Sequence, residues 1–121
     1  MTLPSTPIPT AKTKPVAYEL RFASAATETM TELTSGGNKT LAKLKKVRKA
    51  LGRLQIDPTY PGLHSHLYQH FPGLEKGKVW DSYVENRTPG AWRIYWMYGP
   101  NEHRDGKEIA IITVLVIGPH L

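Results

Sequence analysis

The segment VLVIGPHL, at the end of the sequence, places a titratable ring directly after a run of apolar residues. Residues 114 to 117 have the composition of a buried strand, Gly118 and Pro119 end it, and His120 follows. Because imidazole titrates near neutral pH, His120 in this position can act as an acid or a base. The alternative is a frayed terminal histidine without a chemical role.

The segment TPGAWRIYW contains a second set of side chains suited to chemistry. Alternation along a strand separates two rows of side chains: Arg93, Tyr95 and Met97 on one face, and Trp92, Ile94 and Trp96 on the other. We expect one row to build core and the other to be exposed. In an exposed row, Tyr95 can stack on an unpaired base while Arg93 binds a phosphate. Ordinary half-buried sheet packing is the alternative.

Three histidines, His64, His66 and His70, lie close together and suggest a metal site. A catalytic zinc site needs a third ligand and supporting hydrogen-bond partners, and this segment contains no acidic residue. We therefore expect these histidines to hydrogen-bond the backbone or touch a ligand, and we expect no metal ion and no cofactor. The lack of cysteine excludes disulfides, thiolate metal sites and a cysteine nucleophile.

The composition predicts one soluble domain that prefers polyanions. A length of 121 residues suits a single core, and 16 Lys and Arg against 10 Asp and Glu give a net charge of +6. Residues 1 to 15 are rich in proline and threonine, which predicts a flexible arm before a single domain over residues 16 to 121. No segment resembles a signal peptide or a membrane span, so we expect a cytoplasmic protein without a membrane partner.

The elements that must position these residues begin with a short strand, YELRF, over residues 18 to 22. Ser24 is a potential N-cap for a helix over residues 25 to 34, which Gly36 and Gly37 end. Apolar residues at spacings of three and four predict a second helix over residues 40 to 54. Its apolar stripe consists of Leu41, Leu44, Val47, Leu51 and Leu54.

The remaining positions of this second helix form a basic ridge without any acidic residue. The ridge consists of Lys43, Lys45, Lys46, Arg48, Lys49 and Arg53. Since no ion pair within the helix balances these charges, the pattern predicts either a solvated face or a contact with nucleic acid or an acidic protein.

The rest of the chain predicts a sheet. Residues 59 to 78 form a long connection that is either a functional loop or the carrier of a short helix. The segments VWDSYVEN and AWRIYWMYG predict a hairpin, and a second connection, PNEHRDGKE, leads to a last strand, IAIITVLVIG. The order β-α-α-β-β-β predicts an α+β fold in which two N-terminal helices pack on a small antiparallel sheet.

This combination resembles the RelE/ParE superfamily of type II toxins, particularly its RelE, YoeB and HigB branches. The likeness rests on the element order, the basic helix, the hairpin TPGAWRIYW and the imidazole after the last strand, over roughly residues 17 to 121. It implies a RelE-like toxin domain that a cognate antitoxin inhibits. In these branches it further implies a metal-independent endoribonuclease that cleaves messenger RNA on the ribosome.

The resemblance also implies roles for individual residues. Arg93 matches the family's arginine at the scissile phosphate, and His120 falls where YoeB-like toxins place an acid or base, although Leu121 replaces their terminal tyrosine. Tyr83 is the third catalytic candidate, in a region where RelE itself has paired lysines. The candidates for RNA binding are Arg87, Lys76, Lys78, Tyr95, Lys45, Lys46 and Lys49.

The identity of the general base stays open at this level. Metal-free cleavage by the RNA 2′-hydroxyl needs a base, a cation for the phosphorane and an acid for the departing 5′-oxygen. Asp81 and Glu85 are hypotheses for the base. Two other functions fit the same residues: a ParE-like toxin that inhibits DNA gyrase without nuclease activity, and a non-enzymatic basic module that binds nucleic acid.

Overall fold

Two helices pack on one face of a five-stranded sheet in the computed structural model, which describes residues 17–121. The predicted arm over residues 1 to 15 lies outside the described residues. The elements are, in chain order, β1 (Glu19–Phe22), α1 (Ser24–Ser35), α2 (Leu41–Ile56), β2 (His66–Leu67), β3 (Trp80–Tyr83), β4 (Trp92–Tyr98), β5 (Glu102–Arg104), β6 (Lys107–Ile109) and β7 (Ile111–Pro119). The predicted α+β class is confirmed.

The sheet has the strand order β1-β7-β4-β3-β2 and is mixed. β4 pairs antiparallel with both β3 and β7, and β2 pairs antiparallel with β3. β1 pairs with β7 in parallel, so the prediction of an antiparallel sheet is wrong for this strand. Tight turns impose the antiparallel direction only on the strands that they join, and β1 and β7 lie at opposite ends of the described chain.

Three strands have no counterpart among the predicted elements. β2 lies in the connection over residues 59 to 78, which also holds a short 3₁₀ helix, Pro61–Leu63. β5 and β6 form a separate two-stranded hairpin, which takes up the predicted connection and also Ile109, the residue predicted to begin the last strand. Each of these strands has only two or three residues, which is too few for an alternating pattern to reveal.

The helices follow the prediction closely, with differences at their ends. The N-cap of α1 is Ala23, not Ser24, which is the first helical residue, and Gly36 is the C-cap. α2 extends to Ile56, and its first residue, Leu41, is 41% exposed and so falls outside the buried stripe. Leu41 lies in the first turn of α2, beyond the part of the helix that packs against the sheet.

The core lies between the helices and one face of the sheet. Buried residues of α2 meet buried residues of β4 and β7, and this cluster includes Leu44, Val47, Leu51, Leu54, Ile94, Trp96, Ile112, Val114 and Ile117. Because alternate strand residues point to opposite faces, the intervening residues of β3 and β4 turn away from the helices. Neither α1 nor α2, nor any other helix within residues 17–121, is long and apolar enough to cross a bilayer.

Candidate active site

Two rows of side chains cross the sheet on the face opposite the helices. In the first row, His66 of β2 is paired with Asp81 of β3, which is paired with Tyr95 of β4. In the second row, Tyr83 of β3 is paired with Arg93 of β4. Paired residues of antiparallel strands project to the same face, so strand register alone brings these groups together.

Asp81 is at the centre of this cluster and is fully buried. The Nη1 of Arg93 donates hydrogen bonds to both carboxylate oxygens of Asp81, at 3.1 and 3.0 Å. The Arg93 side chain retains 15% of its exposure, and its buried Nε has no hydrogen-bond partner among residues 17–121. Asp81 therefore holds the guanidinium in place, while part of the Arg93 side chain stays accessible to solvent.

Two imidazole rings also lie close to the Asp81 carboxylate. The Nε2 of His66 lies 3.4 Å from Oδ2 of Asp81, and the Nε2 of His120 lies 3.7 Å from that same oxygen. The two Nε2 atoms are therefore separated by at most the sum of these distances, about 7 Å. Their side chains are 50% and 49% exposed, so a substrate can reach both rings although it cannot reach Asp81.

Backbone oxygens contact the Nδ1 atom of both rings. The Nδ1 of His66 lies 2.8 Å from the carbonyl oxygen of His64, and the Nδ1 of His120 lies 2.7 Å from a backbone oxygen of Leu121. Such an oxygen accepts, so each Nδ1 donates a proton to it. When Nε2 also carries a proton, the ring is an imidazolium that pairs with Asp81, and when it does not, Nε2 is the basic nitrogen of the ring.

Tyr83 is held between two neighbours. The guanidinium carbon of Arg93 lies 4.0 Å from the centre of its ring, and the His64 ring lies 4.8 Å away, centre to centre. These neighbours come from the two strands that flank β3, because Arg93 is on β4 and His64 precedes β2. Tyr83 therefore positions Arg93 rather than offering an open face for a base.

Tyr95 does not have the exposed position that the alternation suggested, and it is fully buried. The rings of Tyr68 and Phe71 cover it, with centroid separations of 5.1 and 6.1 Å. The prediction that Tyr95 stacks on an unpaired base is therefore wrong. The reason is that the connection between β2 and β3 folds back over this face, which alternation within a single strand cannot reveal.

The buried Tyr95 instead supports the segment that carries His120. Its hydroxyl oxygen accepts a hydrogen bond from the backbone N–H of Leu121 at 2.9 Å. Burial raises the pKa of Tyr95, and the charge of Asp81 raises it further, so the hydroxyl stays protonated at neutral pH. The His120 ring is thus located by Tyr95 through the backbone and contacts Tyr68 edge to face.

Glu85 partly neutralises the basic ridge of α2. Its carboxylate binds Lys43 at 2.8 Å and Lys46 at 3.2 Å, and it accepts a hydrogen bond from the N–H of Trp92. Burial alone would raise the pKa of Glu85, but the hydrogen bonds from Lys43, Trp92 and Lys46 lower it below its ordinary value. Glu85 therefore holds the β3–β4 connection against α2 and is not free to act as a base.

The other predicted residues lie away from the cluster. Lys76 and Lys78 are exposed in the connection before β3, and Arg87 is exposed in the turn before β4 with a φ of 59°. Lys45 and Lys49 lie on exposed positions of α2, within the helical layer. Within residues 17–121, none of these five forms a hydrogen bond or ion pair with Arg93, Asp81 or the two imidazoles.

Sequence reasoning underrates two residues of this site. Asp81 is only a hypothetical base by sequence, and its buried position gives it an orienting role instead. The prediction that His66 hydrogen-bonds the backbone is confirmed, but its second nitrogen also faces Asp81. The position of the hairpin turn could have revealed the place of Asp81. A turn centred on residue 88 pairs Tyr83 with Arg93 and Asp81 with Tyr95, which puts Asp81 and Arg93 on the same face of the sheet.

The comparisons with known proteins add no family to this geometry. No protein-family model matches the chain, and no curated protein sequence is significantly similar to it. Among residues 17–121, no group of three or more His, Asp or Glu side chains has an arrangement that could hold a metal ion. The functional assignment therefore depends on the chemistry of the cluster itself.

Proposed function

We propose that this protein is an endoribonuclease that cleaves RNA without a metal ion, and that it acts on messenger RNA as the toxin of a type II toxin-antitoxin system. One observation carries the proposal: Arg93, His66 and His120 meet around the buried carboxylate of Asp81. Two rings that can exchange protons beside a fixed cation are the groups that RNA transesterification requires.

The charges of the cluster suit a phosphodiester. The ion pair of Arg93 with Asp81 is neutral as a whole, so protonation of one imidazole gives the cluster a net positive charge. Arg93 and both imidazole rings are partly exposed to solvent. Their positive charge can therefore attract an anionic ligand that binds at this surface.

The reaction assigns one proton transfer to each ring. A neutral imidazole accepts the proton of the 2′-hydroxyl through Nε2, and the 2′-oxygen forms a bond to phosphorus. The bond from phosphorus to the 5′-oxygen breaks, and the other imidazole, protonated beforehand, donates its proton to that oxygen. Arg93 stabilises the charge on the phosphorane, and the products are a 2′,3′-cyclic phosphate and a 5′-hydroxyl. We assign the acid role to His120 and the base role to His66.

The site also suits a substrate that is delivered by a larger particle. Its two imidazoles are half exposed at the protein surface, and the net charge of +6 favours contact with RNA. Action on messenger RNA in the ribosome and control by an acidic antitoxin are therefore part of the proposal.

Controlled expression followed by mapping of messenger RNA ends tests the proposal. The wild-type chain should produce cuts with codon phasing, and His120→Ala should abolish them, whereas the exposed His103→Ala in β5 should cut like wild type. Growth arrest with DNA damage and no cuts would favour gyrase inhibition. The absence of both effects would leave only nucleic-acid binding.

A further inference from the structure

A cleft beside the cluster is lined by cationic side chains. Its volume is about 480 Å³, and it lies between α2, the 3₁₀ helix and the β3–β4 connection. Tyr83 lines this cleft and also packs on Arg93, so the cleft and the cluster share a wall.

The cations of the cleft come from one face of α2. Lys46, Lys49 and Arg53 lie three and four positions apart and all line it. Lys46 is engaged by Glu85, the acidic residue of this lining. Lys49 and Arg53 form no ion pair with any acidic residue in the described part of the chain, so their charges are available to an anion.

The side chain of Arg53 is already held in position by an aromatic ring. Its guanidinium carbon lies 4.2 Å above the centre of the Tyr60 ring. The Tyr60 ring in turn lies against the backbone of Gly62, where an added Cβ would approach Cε2 of Tyr60 to 2.6 Å. A guanidinium stacked on a ring that is itself supported loses little freedom when it binds, and its N–H groups match phosphate geometry.

We propose that Arg53 and Lys49 bind a backbone phosphate of single-stranded RNA next to the nucleotide that is cleaved. This inference depends on the proposed function for the choice of RNA as the ligand. An acidic protein segment would satisfy the same charges, but Tyr83, which lines the cleft, also packs on Arg93, so a strand of RNA held at the phosphodiester site can pass from one side of this ring to the other.

Equilibrium binding of a short RNA with 2′-O-methyl groups tests this subsite without cleavage. Kd is measured by fluorescence anisotropy at several salt concentrations for wild type, Arg53→Gln, Lys49→Gln and the control Lys39→Gln. Lys39 is exposed before α2, and roughly 18 Å of helix separate residues 41 and 53. Each cleft variant should weaken binding several-fold and reduce the salt slope by about 0.7, and the control should do neither.

A second variant tests the support of Arg53 rather than its charge. Tyr60→Leu keeps both cations but removes the ring beneath the guanidinium, so it should weaken RNA binding less than Arg53→Gln while leaving the salt slope unchanged. Circular dichroism and thermal unfolding verify that each variant is folded. An Arg53→Gln protein that is folded and binds RNA with wild-type Kd and slope would overturn the proposal.

The outcomes separate this subsite from the nuclease proposal. Weakened binding in the cleft variants supports the subsite even if no cleavage is found with any RNA. Cleavage that requires His120, together with wild-type RNA affinity in Arg53→Gln, refutes the subsite and leaves the nuclease intact. If Arg53→Gln loses affinity only for a glutamate-rich peptide, the cleft is a protein-docking site and the RNA assignment is wrong.

Discussion

The hydroxyl oxygen of Tyr95 accepts a hydrogen bond from the backbone N–H of Leu121 at 2.9 Å and so fixes the residue next to His120. Tyr95 is buried in the sheet, whereas His120 is half exposed after the end of β7. A rigid element thus holds a group that would otherwise be free to move, which is a requirement for placing an acid within reach of a leaving oxygen.

Replacing Tyr95 by phenylalanine should lower kcat of RNA cleavage about tenfold and leave KM unchanged, because the ring stays in the core but His120 loses its support. Steady-state kinetics measures both constants, and the His120 ring resonances should broaden in NMR spectra. Tyr98→Phe is the matched control, since Tyr98 lies at the exposed end of β4. Equal kcat in the Tyr95 variant and wild type would remove the positioning role.

The two imidazoles should give a bell-shaped dependence of cleavage rate on pH, because one must be neutral and the other protonated. His66→Ala and His120→Ala should each slow cleavage by about 10²- to 10⁴-fold and each remove one limb of the profile. His103→Ala, outside the cluster, should retain both limbs. If both limbs persist in the two cluster variants, the rings do not transfer the protons.

Arg93→Lys should slow cleavage by about 10²- to 10³-fold while keeping most of the stability. Lysine retains the charge beside Asp81, but it lacks the planar group that stacks on Tyr83 and can face a phosphate. Single-turnover rates compared with those of Arg21→Lys, at the far edge of the sheet in β1, provide the measurement. Wild-type turnover in the Arg93→Lys protein would contradict the role given to the guanidinium.

Asp81→Asn should lower the free energy of unfolding by about 3 kcal/mol, because a largely buried Arg93 loses its compensating charge. Urea denaturation measures this difference. Asp105→Asn is a suitable control, since Asp105 is exposed in the β5–β6 turn and asparagine tolerates its φ of 50°. An equal loss of stability in both variants would show that the buried ion pair of Asp81 with Arg93 contributes no more to the free energy of unfolding than an exposed carboxylate does.

Glu85 makes stability depend on pH in a defined direction. Its pKa is lower in the folded chain than its ordinary value of 4.5, so its ion pairs contribute fully above that value and are lost as pH falls through the folded pKa. Glu85→Gln should therefore reduce the free energy of unfolding by about 1–3 kcal/mol near neutral pH, with the difference disappearing in acid. Urea denaturation at several pH values measures this difference, with a variant of the exposed Glu28, Glu28→Gln, as the matched control.

The helices and the main strands could be predicted from the sequence, because local structure depends on residues that are neighbours along the chain. The spacing of Leu44, Val47, Leu51 and Leu54 predicted α2 and its buried face. Alternation separated the two rows of β4 for the same reason, and the row that joins the helices in the core is the one with Ile94 and Trp96. The helix ends and the short strands were less accurate, because one or two residues decide them.

The cluster could not be predicted in full because its parts come from distant segments. β2 has two residues and no pattern, yet its pairing with β3 places His66 beside Asp81. The covering of Tyr95 by Tyr68 depends on how the connection between β2 and β3 folds back, which no periodicity encodes. The parallel pairing of β1 with β7 is likewise a contact between chain ends.

The sequence by itself determined that this chain offers an arginine on a central strand and a histidine after the last strand, with a basic helix and no thiol chemistry. Only the tertiary structure decided that Asp81 joins Arg93, His66 and His120, and that Tyr95 is a buried support rather than a stacking surface. The physical reason is that residue type and periodicity act within a segment, whereas distances between ionisable groups depend on strand register and on the loops that cover the sheet.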